Sequence, residues 1–151
     1  MGKIFLTKNK VKGLAFPEFP RAMVIFGLGG GIDCLRSVEW LQDKHIYYWG
    51  DLDNHGFAIL ARLREFLPKT KSILMDRQTL DSHRDAWGTE PSPKLSGFPW
   101  EMLTGDEQEV FQYLQEAIPG QHLRLEQERI RFPWLIESLE KLRDRSISKS
   151  L

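Results

Sequence analysis

The chain has 151 residues, with 21 Lys and Arg balanced by 21 Asp and Glu, 41% hydrophobic residues, five Trp and nine Phe. Zero formal charge excludes a strongly basic nucleic-acid coat or an acidic tail, and the apolar and aromatic content excludes disorder throughout. A single cysteine, Cys34, excludes an internal disulfide, and the longest apolar stretch, Ala22 to Ile32, has only eleven residues including four glycines, too short to span a bilayer. One domain over residues 1–143 with a disordered tail at 144–151 is expected, with no membrane contact. A cytoplasmic location is expected because no long apolar leader follows Met1-Gly2-Lys3. Counted by segment, charge drifts from +3 over residues 1–50 to −3 over residues 101–151, which is within the scatter of a solvated surface.

Taken in chain order, Lys3 to Leu6 is a short β-prone run, and Ala22 to Phe26 and His45 to Trp49 are continuous apolar runs that read as buried strands. Between the last two, Leu35, Val38 and Leu41 recur at helical spacing within Ile32 to Gln42. A further helix is expected over Phe57 to Leu67, with Phe57, Leu60, Ala61 and Leu63 on one face. Ser72 to Met75 follows Pro68 as a fourth strand. This strand-helix alternation predicts an α/β fold with a parallel sheet flanked by helices. From Asp81 to Pro99 the composition, including Thr89-Glu90-Pro91-Ser92-Pro93, is that of a loop. Thr104-Gly-Asp-Glu107 is a capping box opening a helix that Pro119-Gly120 ends, and Leu123 to Leu142 reads as helix interrupted near Pro133.

The sharpest motif is Trp49-Gly-Asp-Leu-Asp-Asn-His-Gly56, at the carboxyl end of the third expected strand, where open α/β sheets bind ligands. Asp51 and Asp53, two residues apart on extended backbone, point to one side and together suit a hard divalent cation such as Mg²⁺. The alternative is that they only cap the following helix. Asp76, at the end of the fourth strand, either completes an acidic cluster on the same edge or pairs with a neighbouring Arg such as Arg77. Arg124-Leu-Glu-Gln-Glu-Arg129, placed on a helix, reads as a solvated ion-paired run, with Glu126 or Glu128 as a further carboxylate only if brought to the sheet edge. Gly27-Leu-Gly-Gly-Gly31 lacks the spacing of a nucleotide-binding loop and is a tight strand-to-helix turn; His55 has no second His at ligand spacing. A phosphatase built on Asp51 and Asp53 is disfavoured, because Asn54 follows the pair and two strands precede it.

Together, Tyr48-Trp-Gly-Asp-Leu-Asp-Asn-His-Gly-Phe57, Ser72-Ile-Leu-Met-Asp-Arg77 and Arg124-Leu-Glu-Gln-Glu-Arg129, with Leu14-Ala-Phe-Pro17 and Ile25-Phe-Gly-Leu-Gly29, resemble the C-terminal Toprim-like domain of the Wadjet plasmid-defence nuclease, a domain that is itself topoisomerase VI-like. The resemblance runs from about Lys3 to Phe132 and implies a Toprim-like (Rossmann-like) sheet. On it a Glu after the first strand and an Asp-x-Asp, matched by Asp51 and Asp53, gather Mg²⁺ (or Mn²⁺) for phosphodiester cleavage. Asp76 and Glu128 are the further metal-ligand candidates. The implied partners are double-stranded DNA and a condensin-like defence complex, with a homodimer also allowed.

One departure bears on activity. Where the resembled family has Glu-Asn, this chain reads Thr7-Lys8-Asn9-Lys10, so Lys8 stands at the Glu position. A charged ammonium cannot ligate Mg²⁺ and instead offers its own positive charge to Asp51 and Asp53. The sequence therefore predicts either a Mg²⁺-dependent nuclease domain with weak metal binding and impaired cleavage, or a catalytically silent module that binds DNA or a condensin-like partner.

Overall fold

A computed structural model describes residues 2–8, 17, 19–26, 29–91 and 97–150, the side chains of 29, 30, 91 and 145–150 excepted. Strands β1 (Lys3–Thr7), β2 (Ala22–Phe26), β3 (His45–Trp49) and β4 (Lys71–Ser72) form a parallel sheet in the order β2-β1-β3-β4. β1 is central, pairing Lys3–Thr7 with Ala22–Phe26 on one side and with His45–Trp49 on the other. Its sequence explains the position. Ile4, Phe5, Leu6 and Thr7 are all buried, as a strand covered on both faces requires, and Phe5 stacks on Tyr47 of β3 at 5.3 Å. β2 lies at the edge and leaves Met23 half exposed.

Helix α1 (Asn54–Phe66) follows β3 and buries Phe57, Leu60, Ala61 and Leu63 against the sheet, the face that the sequence periodicity marks. β4 is shorter than the expected Ser72 to Met75. Ile73 N–H still donates to Tyr48 O at 3.0 Å, but Leu74 turns to φ 60°, in the left-handed region, and the ladder stops. The segment expected as one helix over Ile32 to Gln42 is instead two 3₁₀ segments, Gly29–Ser37 and Glu39–Asp43, joined at Val38. Ile32, Leu35, Val38 and Leu41 are spaced by three, the 3₁₀ period, so a tighter helix keeps them all on the core side. Gly31 is kinked within the first segment, while Gly27 and Leu28, like Leu14 to Phe16, lie outside the described residues.

The second half departs further from the sequence reading. The expected loop is interrupted by the last two residues of helix α2 (Arg77–Ser82), a 3₁₀ turn at Arg84–Ala86 and strand β5 (Gly88–Pro91), and its Ser92 and Pro93 lie outside the described residues. β5 pairs antiparallel with β6 (Gln121–Arg124) across α3 (Gly105–Glu116), which carries the expected capping box between Thr104 and Glu107. Arg124 to Arg129 is thus not helical: strand β6 ends at Arg124, and Gln127–Arg129 is a 3₁₀ turn. The local charge spacing suited a helix, but backbone pairing with β5 and with Leu52 claims these residues first. Helix α4 (Phe132–Ser150) takes Pro133 in its first turn, where its missing N–H costs nothing. The side chains of 145–150, on which the expected tail falls, and Leu151 lie outside the described residues. No helix among the described residues is long and apolar enough to cross a membrane.

Candidate functional site at the carboxyl edge of the sheet

Two parallel strands and the ribbon deliver the site. β1 ends at Thr7-Lys8, β3 ends at Trp49 ahead of Gly50-Asp51-Leu52-Asp53, and the antiparallel ribbon approaches from the side. Leu52, fully buried, exchanges two backbone hydrogen bonds with Leu125, at 2.9 and 3.0 Å. Because neighbours in extended chain alternate faces, Asp51 and Asp53 turn away from the core that takes Leu52, and Arg124 and Glu126 flank Leu125 in the same way. Continuing the antiparallel register sets Asp53 opposite Arg124 and Asp51 opposite Glu126.

Each aspartate accepts one backbone N–H and lies against Arg124. Asp53 caps α1 by accepting from Gly56 N–H at 2.7 Å, and its Oδ2 lies 3.1 Å from Arg124 Nε. Asp51 Oδ1 accepts from Gln127 N–H at 2.8 Å, and its Oδ2 lies 3.8 Å from Arg124 Nη2. Arg124 Nη1 also reaches Glu126 at 3.9 Å. Two glycines permit this packing by close approach: a methyl group on Gly56 would overlap the Asp51 carbonyl, and one on Gly50 would overlap the Tyr48 hydroxyl.

Electrostatics at this edge are dominated by burial. Burial pushes the Asp51 carboxyl above its ordinary range and Asp53 adds to the rise, against the opposing pull of Gln127 N–H, Arg124 and Lys8. Burial likewise raises Asp53, helped by Glu90, and Gly56 N–H, Arg124 and His55 counter it. For Arg124 burial works against charge, but Asp53, Glu126, Asp51 and Glu90 outweigh it and hold the guanidinium more firmly protonated.

Sequence reasoning missed the residues that organise this edge. Gln127, almost completely buried, donates through Nε2 to Thr7 Oγ1 at 2.8 Å and to Trp49 O at 2.9 Å, tying the ends of β1 and β3 together beneath Asp51. Asn54 Nδ2 donates to Glu90 at 3.2 Å and contacts His122 Nδ1, anchoring the ribbon to the start of α1. Neither residue carries a charge pattern that spacing alone would expose. Asp76 caps α2 through Thr79 N–H at 2.7 Å and, with Ser72, Arg77, Asp106 and Glu107, lines a cleft of about 430 Å³ whose lining includes neither Asp51 nor Asp53. Glu128 lies on the 3₁₀ turn after the ribbon and is exposed.

A divalent cation is what the sequence resemblance implies for this edge, and the donor set argues against one here. The Oδ1 atoms of Asp51 and Asp53 are taken by backbone N–H groups, and the Oδ2 atoms face a guanidinium. The third corner carries Lys8, whose charge acts on Asp51. Among the described residues no three or more His, Cys, Asp or Glu side chains gather to hold a metal ion. The residues as arranged do not fit Mg²⁺.

Fold and site together define an α/β domain with carboxylates at the carboxyl ends of parallel strands and an antiparallel ribbon folded over them. The chain belongs to the family described as Wadjet protein JetD, C-terminal, which matches residues 1–139. It is therefore a C-terminal domain of a Wadjet defence-system protein. No curated protein matches the chain.

Proposed function

We propose that this chain is a DNA-facing module of a Wadjet defence assembly that does not itself cleave DNA. The carrying observation is Arg124, whose guanidinium sits against Asp53 and Asp51 at 3.1 and 3.8 Å. It supplies the positive charge that a divalent cation supplies in a Toprim-type nuclease, and Lys8 supplies more. An internal cation of this kind costs nothing to recruit, but it cannot polarise a phosphate oxygen or activate a water as a metal ion does. Zero net charge supports weak autonomous DNA binding, with condensin-like partners providing most phosphate contacts.

The reading as a Mg²⁺- or Mn²⁺-dependent nuclease, with Asp51 and Asp53 as catalytic ligands, is favoured by one observation. Burial holds both carboxyls above their ordinary range, and such a pair gains most from a nearby cation. Incubation of the purified chain with supercoiled plasmid in Mg²⁺ or Mn²⁺ separates the two. The silent module leaves the plasmid intact; nicking that disappears in Asp51→Asn establishes the nuclease.

A further inference from the structure

Zero net charge is a sum over the whole chain, and the fold sorts the charges toward opposite ends of the sheet. At the carboxyl edge Asp51, Asp53, Glu90 and Glu126 act on Arg124, with Lys8 acting on Asp51, so carboxylates are in surplus there. The amino edge is the reverse. All four parallel strands begin at that edge, with a basic residue at or just before each start: Arg21 before β2, Lys3 opening β1, Lys44 before β3, and Lys69 and Lys71 at β4. Backbone hydrogen bonds hold the first three level: Lys3 N–H donates to Arg21 O at 3.0 Å and His45 N–H to Gly2 O at 3.2 Å. Gly2 lies between Arg21 and Lys44, where a methyl group would stand 3.5 Å from the Arg21 carbonyl oxygen and 4.0 Å from Lys44 Cδ. Lys71 is in register with Tyr47, and Lys69 lies back toward the edge.

These cations are accessible and have no countercharge in the fold. Arg21, Lys69 and Lys71 are exposed and Lys44 is half-buried, and none of the four makes an ion pair among the described residues. Lys3 Nζ lies 5.6 Å over the ring of Phe19, which packs edge-on to Phe5, so a cation–π contact orients Lys3 without neutralising it. The nearest carboxylates along the chain are Asp43, ending the second 3₁₀ segment, and Glu65, near the end of α1, both exposed. Like charges along one edge repel and weaken the fold rather than hold it. Arg21 adds a backbone cost: its φ of 54° lies in the left-handed region, which glycine or asparagine enters more readily.

We propose that the amino edge of the sheet, through Arg21, Lys3, Lys44, Lys69 and Lys71, is a docking surface for the phosphate backbone of duplex DNA. The spacing fits. Four neighbouring strands about 4.8 Å apart set these cations along roughly 14 Å, the rise of about four phosphates on one strand of a duplex. Contacts of this kind read backbone charge and not base sequence. The carboxylate surplus at the opposite edge repels the same backbone, so the domain meets DNA in one orientation. This rests on the reading of the chain as a DNA-facing module and says which face meets the DNA.

The test measures binding of a short fluorescent DNA duplex in EDTA over a series of salt concentrations. It compares the wild-type chain, the triple variant Arg21→Gln, Lys69→Gln, Lys71→Gln, and a control triple variant Arg84→Gln, Lys141→Gln, Arg143→Gln. The control removes the same charge from exposed positions away from the strand starts. The amino-edge variant is expected to bind about tenfold more weakly or worse at low salt, with the salt slope lowered by about one for each charge removed, and to melt at or above the wild-type temperature. The control is expected to keep most of the slope. Equal losses in the two variants, or an amino-edge melting temperature lowered by several degrees, overturn the proposal. Wild-type affinity in the amino-edge variant overturns the surface and leaves the DNA-facing reading standing. No duplex binding by the wild type at low salt overturns both, and poly-glutamate bound in place of duplex, with the same dependence on Arg21, Lys69 and Lys71, assigns the edge to an acidic protein instead.

Discussion

Arg64 and Glu107 form an ion pair whose side chains are only 7% and 8% exposed, and the fold around the separate cleft depends on it. Arg64 Nε donates to Thr70 O at 3.0 Å, Nη1 donates to Met102 O at 3.0 Å and to Glu107 Oε1, and Nη2 donates to Glu107 Oε2 at 2.9 Å. Glu107 also accepts from Ser72 Oγ at 2.6 Å and from Thr104 N–H at 2.9 Å. The network ties α1, the end of β4 and the start of α3 into one body. Arg64→Met keeps most of the aliphatic volume but strands a buried carboxylate, which should cost about 3–5 kcal/mol and lower Tm by roughly 6–20 °C in a chain of this length. Adding Glu107→Gln to that variant should recover a large part of the loss, because the amide still accepts from Thr104 N–H and the stranded charge is gone.

The pH dependence gives the sign. Burial acts to raise the Glu107 carboxyl, but Arg64, Ser72 and Thr104 outweigh it and hold it below its ordinary 4.5. In the wild type this stabilisation is complete above 4.5 and is lost as pH falls through the lower folded value. In Arg64→Met the lone buried carboxyl is pushed up instead, so that variant should gain stability on mild acidification. Urea unfolding followed by tryptophan fluorescence at several pH values measures both effects. A cost below about 1 kcal/mol, or no recovery in the double variant, would refute the reasoning.

Asp51→Asn should raise the urea midpoint at neutral pH. The raised carboxyl means that the fold disfavours its charged form, so stability falls as pH rises from the ordinary 3.8 through the raised value, and Asn removes that term while still accepting from Gln127 N–H. A lower midpoint would show that the ionised Asp51 stabilises the fold. Gly56→Ala should cost about 1–3 kcal/mol despite the better helix propensity of Ala, because its methyl meets the Asp51 carbonyl. Thermal melting that places Gly56→Ala at or above the wild type would contradict the close approach.

How much was legible in the sequence follows from where each segment finds its partners. β1 and β3 are covered on both faces, so unbroken runs such as Ile4-Phe5-Leu6 and Ile46-Tyr47-Tyr48-Trp49 announce them without knowledge of the rest. The face of α1 and the capping box of α3 are likewise set by local spacing. β5, by contrast, reads Gly-Thr-Glu-Pro and becomes a strand only through pairing with the distant β6, which no local pattern reports. Asp51 and Asp53 were visible as a motif at a strand end. What faces them was not, because Arg124 reaches the pair through the Leu52–Leu125 bridge, a contact between distant segments.

On the proposed function, Arg124 and Lys8, rather than a divalent ion, meet the charge of Asp51 and Asp53. Calorimetric titration with Mg²⁺ and with Mn²⁺ tests it on the wild-type chain, on Lys8→Glu, on Asp51→Asn with Asp53→Asn, and on all three substitutions combined. No binding heat is expected for the wild type, a saturable heat for Lys8→Glu, and its loss when both aspartates are also replaced. A saturable heat in the wild type that disappears with the two Asn substitutions would contradict it and establish a working metal site.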